Sequence, residues 1–228
     1  MRPMDRFRHV LGLTAGLLAI VVAGSAQAQE ASMATPPLEL ARAVLGTQPG
    51  QAAAAVSREG RESYAGVRRA AGAPDAQPLP DGQVSGEAAA LYEIGSISKV
   101  FTGLLLAQSV EAGELSLDDT LGSLLQGEAQ IASPHTAAIT LRQLVTHTSC
   151  LPRLPADFGQ GRDPANPYRD YGRARLWLAV SALHLPAAPP CEAAYSNFGF
   201  AVVGEILARR AGKPWAQLVR ERITAPLG

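Results

Sequence analysis

Ser96 and Lys99 form the pattern in this sequence with the clearest chemical meaning. They stand three residues apart at the start of "SISKVFTGLLLAQ", an apolar run that reads as a buried helix. Three residues is about one helical turn, so both side chains point to the same side. Lys99 and Lys213 are the only lysines among 20 basic residues. Lysine, unlike arginine, can release a proton when burial lowers its pKa, so the pair predicts an activated serine nucleophile.

The predicted position of Ser96 at a helix N-terminus supports this interpretation. Free backbone N–H groups and the helix dipole favour negative charge there, which suits an attacking alkoxide and a neighbouring oxyanion. The alternative is that Lys99 only extends along the helix to water, since Ser-x-x-Lys is a weak motif by itself. Gly95 before the serine and the apolar run after it favour the catalytic interpretation.

A second motif, "YSNFGF", contains Tyr195 and Asn197. These residues are two apart, so in an extended segment their side chains face one way. A phenol near an ammonium group can lose its proton below its usual pKa and act as a general base, while an Asn amide can hold a lysine and a substrate carbonyl. The alternative is an aromatic residue packed on the next helix and an Asn that caps it.

The first 28 residues combine a basic start, an apolar run over residues 10–23 and the triplet "AQA" at 26–28. These are the parts of a secretory signal peptide, and the run is shorter than the roughly 20 residues of a membrane span. We therefore expect cleavage after Ala28, export, and no stable membrane span; an uncleaved anchor is the alternative.

Charge argues against nucleic acid as a partner. Without residues 1–28 the chain keeps 17 basic and 19 acidic side chains. This net charge of −2, with no long basic run, is not typical of a nucleic-acid-binding protein. The remaining 200 residues are enough for one substantial core, so we predict a loose lead-in at 29–49 and one domain at 50–228.

Hydrophobic periodicity predicts an early hairpin followed by helices. The hairpin comprises 52–58 and 62–68 around the turn Glu59-Gly60, and 70–90 reads as a loop. The predicted helices lie at 38–45, 96–112, in "LDDTLGSLL", after an N-cap at Thr140, and at 171–183, 198–211 and 214–223.

Five blocks of the sequence resemble, in the same order, those of the serine β-lactamase and penicillin-binding-protein superfamily, especially the class C β-lactamase-related serine hydrolases. They are "YEIGSISKVFTG", "LDDTL", "ITLRQLVTHTSCLPRLP", "YSNFGFAVVGEIL" and "RERITAPLG", and Ser-x-x-Lys is a motif of that superfamily. The resemblance covers 50–228. It implies an α+β fold, with an antiparallel sheet flanked by helices beside a helical subdomain and the site between them.

The resemblance also implies a role for each motif residue. Ser96 would be the acylated nucleophile, Lys99 its activating partner and Tyr195 the base or proton relay. Asn197 would position the substrate amide, and the backbone N–H of Ser96 would form half of the oxyanion hole. The substrate would be a small molecule or peptide: a β-lactam, a D-Ala-D-Ala-type peptide or an ester. No metal or cofactor is implied.

The sequence departs from the family pattern in one motif. The family has Lys-Thr-Gly or His-Thr-Gly on a strand downstream of the tyrosine motif, and neither string occurs here. We therefore expect these residues to be the N-terminal part of such an enzyme, without the C-terminal strands, and to turn over poorly by themselves. A periplasmic serine hydrolase is the first hypothesis. A non-catalytic remnant or binding module of the family is the second, and an unrelated helical scaffold the third.

Cys150 and Cys191 replace glycines of the family pattern. Both lie in loops that lead to the expected site, and an exported chain meets oxidising conditions. These points favour a Cys150–Cys191 disulfide, and two unpaired small hydrophobic residues are the alternative.

Overall fold

The computed structural model describes residues 35–80, 91, 93–161, 163 and 166–227. The predicted signal peptide and the first six residues of the lead-in, 29–34, lie outside these ranges. The described chain forms two compact units, which meet in sequence between Gly95 and Ser96.

The first unit is a short helix on a small antiparallel sheet. It contains α1 (Pro37–Leu45), β1 (Gly50–Arg58) and β2 (Arg61–Arg69), so the predicted helix and hairpin are confirmed. Glu59 and Gly60 form the two-residue turn, with φ of 49° and 76°, as the twist of a tight hairpin requires. The helix covers one face of the sheet through a small apolar cluster of Ala41, Leu45, Ala52 and Val67.

A third strand corrects the predicted loop at 70–90. Strand β3 (Gln77–Pro78) pairs antiparallel with β2, giving the order β1-β2-β3. Two residues are too few for a hydrophobic alternation to appear in the sequence. A proline also argues against a central strand, and here it lies at the sheet edge. The remainder of that loop, 81–90, lies outside the described residues.

The second unit is helical. A 3₁₀ turn (Gly95–Ile97) leads into its first helix, and a π-helical turn (Arg220–Thr224) precedes its last. The helices are α2 (Ser98–Glu111), α3 (Leu121–Leu124), α4 (Pro134–Ala137), α5 (Leu141–Val145), α6 (Arg173–Ala182), α7 (Asn197–Ala211), α8 (Trp215–Val219) and α9 (Ala225–Leu227).

Local capping explains several of these boundaries. Thr140 and Gln143 form a capping box at the start of α5, which satisfies two backbone N–H groups. Gly212 ends α7 in the left-handed conformation. These predicted ends are confirmed. Helix α4 was not predicted because four residues carry too little periodicity, and the predicted helix at 214–223 is divided by the π-helical turn.

Helix α7 organises the second unit by packing against α2, α5 and α8. Its inward residues are fully buried, including Val202, Val203 and Ile206. The apolar run of α2 is buried on one side only: Leu105 is 1% exposed, whereas Val100 is 69% exposed. The predicted buried helix is therefore confirmed for one face, and the part of the run that includes Val100 is exposed. Within the described residues, no helix has the length and apolar character needed to cross a membrane.

Candidate active site

Ser96 and Lys99 meet at the start of α2, as their spacing predicts. Ser96 lies in the 3₁₀ turn and Lys99 in the first turn of α2. Lys99 Nζ is 3.3 Å from Ser96 Oγ. Gly95 has φ of 53°, a left-handed conformation that glycine adopts without steric cost. The Ser96 side chain is exposed and accessible to a substrate.

The tyrosine motif brings its two polar side chains to the same pair. Tyr195 Oη is 2.5 Å from Ser96 Oγ, and either oxygen can be the donor. Lys99 Nζ donates to Asn197 Oδ1 over 2.6 Å. All four predicted side chains, Ser96, Lys99, Tyr195 and Asn197, thus form one hydrogen-bonded group.

The loop before α7 fixes the position of this motif. Ser196 is fully buried, and its Oγ accepts from Gly199 N–H over 3.0 Å as the N-cap of α7. The same hydroxyl donates to the Pro152 carbonyl over 2.7 Å. The Arg153 carbonyl accepts from Asn197 N–H over 2.9 Å. Ser196 therefore anchors the segment that presents Tyr195 on one side and Asn197 on the other.

A disulfide joins the same two loops. Cys150 and Cys191 are bonded, with Cα atoms 5.2 Å apart, and Cys191 N–H donates to the Thr148 carbonyl over 2.9 Å. Cys150 has φ of 63°, in the region that favours glycine. This conformation explains why the family that the sequence resembles has glycine at the position of Cys150.

Two cations lie against the Tyr195 ring. Lys99 Nζ is 4.8 Å and Arg153 Cζ 5.1 Å from the ring centroid. Burial by itself raises the pKa of the Tyr195 phenol, but hydrogen bonding to Lys99 and Ser96 and the charges of Lys99 and Arg153 outweigh it and hold the pKa below its usual value. Because a lower pKa increases the phenolate fraction near neutral pH, the arrangement suits a general base.

His147, Arg153 and Phe200 were not singled out from the sequence. His147 has its ring centroid 4.7 Å from that of Tyr195 and 5.2 Å from that of Phe200. Burial first, and then the charge of Lys99, lower the pKa of His147. The signal for His147 was its place in the "THTS" block, and for Phe200 its place in "YSNFGF". An exposed arginine such as Arg153 carries no comparable signal.

Among the described residues, no group of three or more His, Cys, Asp and Glu side chains is arranged to hold a metal ion. The chemistry that these four polar groups can perform is proton transfer and nucleophilic attack by the Ser96 hydroxyl.

A family model described as Beta-lactamase matches residues 8–228. The chain therefore belongs to the β-lactamase family, whose members are serine hydrolases. The fold agrees with this assignment. The chain is similar to the class C β-lactamase structure from Rhodobacter sphaeroides, with a TM-score of 0.53 and 27% identity over 78% of this chain and 44% of that one.

Two further relatives are more similar in sequence. The D-alanyl-D-alanine-carboxypeptidase/endopeptidase AmpH of Escherichia coli K12 is 34% identical over 149 residues, which are 65% of this chain and 38% of that protein. The structure of a β-lactamase/D-alanine carboxypeptidase from Yersinia pestis has a TM-score of 0.52 and 31% identity, over 58% of this chain and 37% of that one. The chain thus spans about two fifths of the length of these relatives.

Proposed function

We propose that this protein is an exported serine acyl-hydrolase that acts through an acyl-enzyme on Ser96. Its substrates would be β-lactams, D-Ala-D-Ala-type peptides or small esters. The observation that carries the proposal is the 2.5 Å separation of Ser96 Oγ and Tyr195 Oη, with Lys99 Nζ 3.3 Å from the same serine oxygen. The names of the relatives, carboxypeptidase and β-lactamase, support this substrate class.

Acylation begins with proton removal from the nucleophile. The Tyr195 phenolate accepts the Ser96 hydroxyl proton as Oγ attacks the carbonyl carbon of the substrate. The carbonyl oxygen becomes an oxyanion, and the Ser96 backbone N–H at the start of α2 stabilises it. When the C–N bond of an amide substrate, or the C–O bond of an ester, breaks, the leaving amine or alcohol takes the proton from Tyr195, and Ser96 is left as an ester.

Deacylation repeats these steps with water as the nucleophile. Tyr195 accepts a proton from a water molecule that attacks the ester carbon. The Ser96 oxygen then leaves and takes this proton back, which releases the carboxylic acid product and restores the starting state. One group therefore serves as base and as acid in both halves of the reaction.

Lys99 and Asn197 maintain the state in which Tyr195 can act. The Lys99 ammonium is 4.8 Å from the Tyr195 ring centroid and hydrogen-bonded to Asn197. Its positive charge stabilises the phenolate, and Lys99 Nζ, 3.3 Å from Ser96 Oγ, can pass a proton between the serine oxygen and Tyr195, which an arginine cannot do near neutral pH. Asn197 accepts from Lys99 through its oxygen, which leaves its amide N–H groups to donate to a substrate carbonyl.

Export is part of the proposal because residues 1–28 have the pattern of a signal peptide. Expression with and without these residues, followed by cell fractionation, tests it. Secretion that needs residues 1–28, with mature protein that begins at Gln29, supports export. Equal amounts of uncleaved protein in the cytoplasm contradict it.

Hydrolysis by this chain, completed with the C-terminal strands that the family pattern implies, tests the catalytic proposal. Hydrolysis is measured for wild type, Ser96→Ala and the exposed control Ser116→Ala. The substrates are a chromogenic cephalosporin, a nitrophenyl ester and a D-Ala-D-Ala peptide. We expect turnover of at least one substrate by wild type and the control, and none by Ser96→Ala. Absence of turnover and of acylation in wild type would instead favour the non-catalytic family member.

A further inference from the structure

The side chain of His147 forms a hydrogen bond with the backbone between Tyr195 and Asn197, the two site residues of the tyrosine motif. His147 Nδ1 accepts from Ser196 N–H over 3.1 Å. Ser196 is 0% exposed, so water does not reach this N–H group while the His147 ring is in place. A buried N–H group without an acceptor is costly. The position of Tyr195 and Asn197, on either side of Ser196, therefore depends on His147.

His147 contacts the same segment at two further points. Its backbone carbonyl accepts from Ala194 N–H over 2.9 Å, and its ring packs against the Tyr195 ring at 4.7 Å between centroids. His147 itself has φ of 62°, in the left-handed region where histidine, like Asn and Asp, is found more often than other non-glycine residues. The surrounding hydrogen bonds hold it there, and the ring is directed toward Ser196.

These contacts require the neutral form of His147. A backbone N–H can only donate, so Nδ1 must be unprotonated and the ring hydrogen of the neutral imidazole lies on Nε2. A second proton at Nδ1 would face the Ser196 N–H and break the bond. It would also add a positive charge close to the Lys99 ammonium of α2. Among the described residues, Tyr195 is the titratable side chain that packs against the His147 ring, and Arg153 lies against the same Tyr195 ring.

We propose that His147 is a positioning residue for Tyr195, whose neutral imidazole fixes the Tyr195–Asn197 segment against Ser96 and Lys99 and whose protonation releases it. This proposal rests on the proposed function of Ser96. It assigns part of the pH dependence of the reaction to His147, which is not one of the four hydrogen-bonded site residues. His147 acts through Ser196 N–H and the Tyr195 ring, and it does not contact Ser96.

The sign of the pH effect follows from the direction of the shift. Burial and the charge of Lys99 lower the pKa of His147 below the value of about 6.5 that it has in the unfolded chain. The neutral form, with its hydrogen bond, is complete above pH of about 6.5, and its contribution is lost as pH falls through the lowered native pKa. Activity on the acid side should fall for this reason in addition to protonation of Tyr195.

Two substitutions at His147 separate the acceptor from the ring. His147→Asn removes the ring and its titration but offers Oδ1 as an acceptor, and Asn tolerates a positive φ. His147→Gly tolerates the same φ and offers no acceptor. His184, an exposed histidine whose ring nitrogen contacts the Ala182 carbonyl, provides the control His184→Asn.

The experiment measures kcat and KM for a chromogenic substrate between pH 5 and 9, with thermal unfolding of each variant. At pH 8 we expect His147→Gly to lose roughly tenfold or more in kcat, from the buried unpaired donor, and His147→Asn to retain most of it. We expect the acid limb to move to lower pH in His147→Asn and not in His184→Asn. Equal losses in the Asn and Gly variants, or an unchanged acid limb in His147→Asn, would overturn the proposal.

A second measurement does not depend on turnover or on the folding of a variant. Nuclear magnetic resonance of uniformly ¹⁵N-labelled wild type reports the tautomer and titration of each imidazole and the signal of each backbone amide. We expect His147 as the Nε2–H tautomer with a midpoint below 6.5, and a change in the Ser196 amide signal at the same midpoint. A proton on Nδ1 at neutral pH would contradict the assignment. If these signals are as expected but Ser96→Ala hydrolyses substrate as fast as wild type, the proposed function is contradicted and the role of His147 is not.

Discussion

The Ser96 hydroxyl oxygen lies 2.5 Å from the phenolic oxygen of Tyr195, although 99 positions separate the two residues in the chain. Two elements bring them together: the 3₁₀ turn before α2 and the loop before α7. Helices α2 and α7 pack against each other, so the contact between the two oxygens depends on a buried helix pair rather than on flexible segments.

Replacing Lys99 by arginine should nearly abolish acylation. Arginine keeps the positive charge near Tyr195 and Asn197 but does not release a proton near neutral pH. We expect kcat/KM to fall by about 10² to 10⁴, the usual contribution of a positioned acid or base. The control is Lys213→Arg, which changes the other lysine, in a surface pair with Glu221. A wild-type rate in Lys99→Arg would rule out proton exchange by this lysine.

Tyr195→Phe should slow both halves of the reaction, because the same phenol serves as the base for serine and for water. We expect losses of about 10² to 10⁴ in each step, measured by burst kinetics for acylation and by single turnover for deacylation. Tyr168→Phe, at an exposed tyrosine, is the matched control. A normal acylation rate in Tyr195→Phe would transfer the role of base to Lys99 alone.

Arg153→Gln should move the acid limb of kcat/KM to higher pH. Burial raises the pKa of Tyr195, while Lys99, Ser96 and Arg153 lower it, so loss of the Arg153 charge raises it and a higher pH is needed to form the phenolate. A charge about 5 Å away in a solvated setting corresponds to about half a pH unit.

The shift should shrink at high salt, because Arg153 is exposed. Arg142→Gln, which breaks an exposed pair with Asp118, should leave the pH profile unchanged. An acid limb that moves downward in Arg153→Gln would contradict the stated effect of this charge on Tyr195.

The Cys150–Cys191 bridge should stabilise the folded chain and the loop that carries Tyr195. The two cysteines are 41 residues apart, and a loop of that length corresponds to about 4 kcal/mol in the chain-entropy model. We expect Cys150→Gly/Cys191→Gly to unfold at lower denaturant concentration and to acylate more slowly. Wild type should have no thiol that titrates after denaturation without reductant, and two titratable thiols would exclude the bridge.

The sequence predicted the elements that rest on local patterns. The hairpin around Glu59-Gly60, the capping box at Thr140 and the end of α7 at Gly212 each follow from side chains within four residues. Strand β3 and helix α4 could not be predicted, because two to four residues give no measurable period. The exposure of Val100 depends on which side of α2 packs against other helices, and composition does not contain that information.

For the site, residue spacing predicted two separate pairs of side chains. The family resemblance then suggested that the two pairs form one site. Residues three apart in a helix, such as Ser96 and Lys99, share a face by geometry alone. That Tyr195 reaches Ser96 depends on tertiary packing, which only the resemblance suggested. The contributions of His147 and Arg153 could not be predicted. Their contacts arise from a loop in which His147 adopts φ of 62° and Arg153 binds α7 through its backbone carbonyl.

The central claim is that Ser96 becomes covalently acylated, and mass spectrometry of the trapped protein tests it most directly. The chain, completed with the C-terminal strands that the family pattern implies, is incubated with a fluorescent penicillin, quenched in acid and digested, and the labelled peptide is sequenced. Ser96→Ala and Lys99→Arg are treated in parallel. We predict one adduct, with the mass of the intact penicillin, on the Ser96 oxygen in wild type and none in Ser96→Ala. An adduct on any other residue, or equal labelling of Ser96→Ala, would contradict the account.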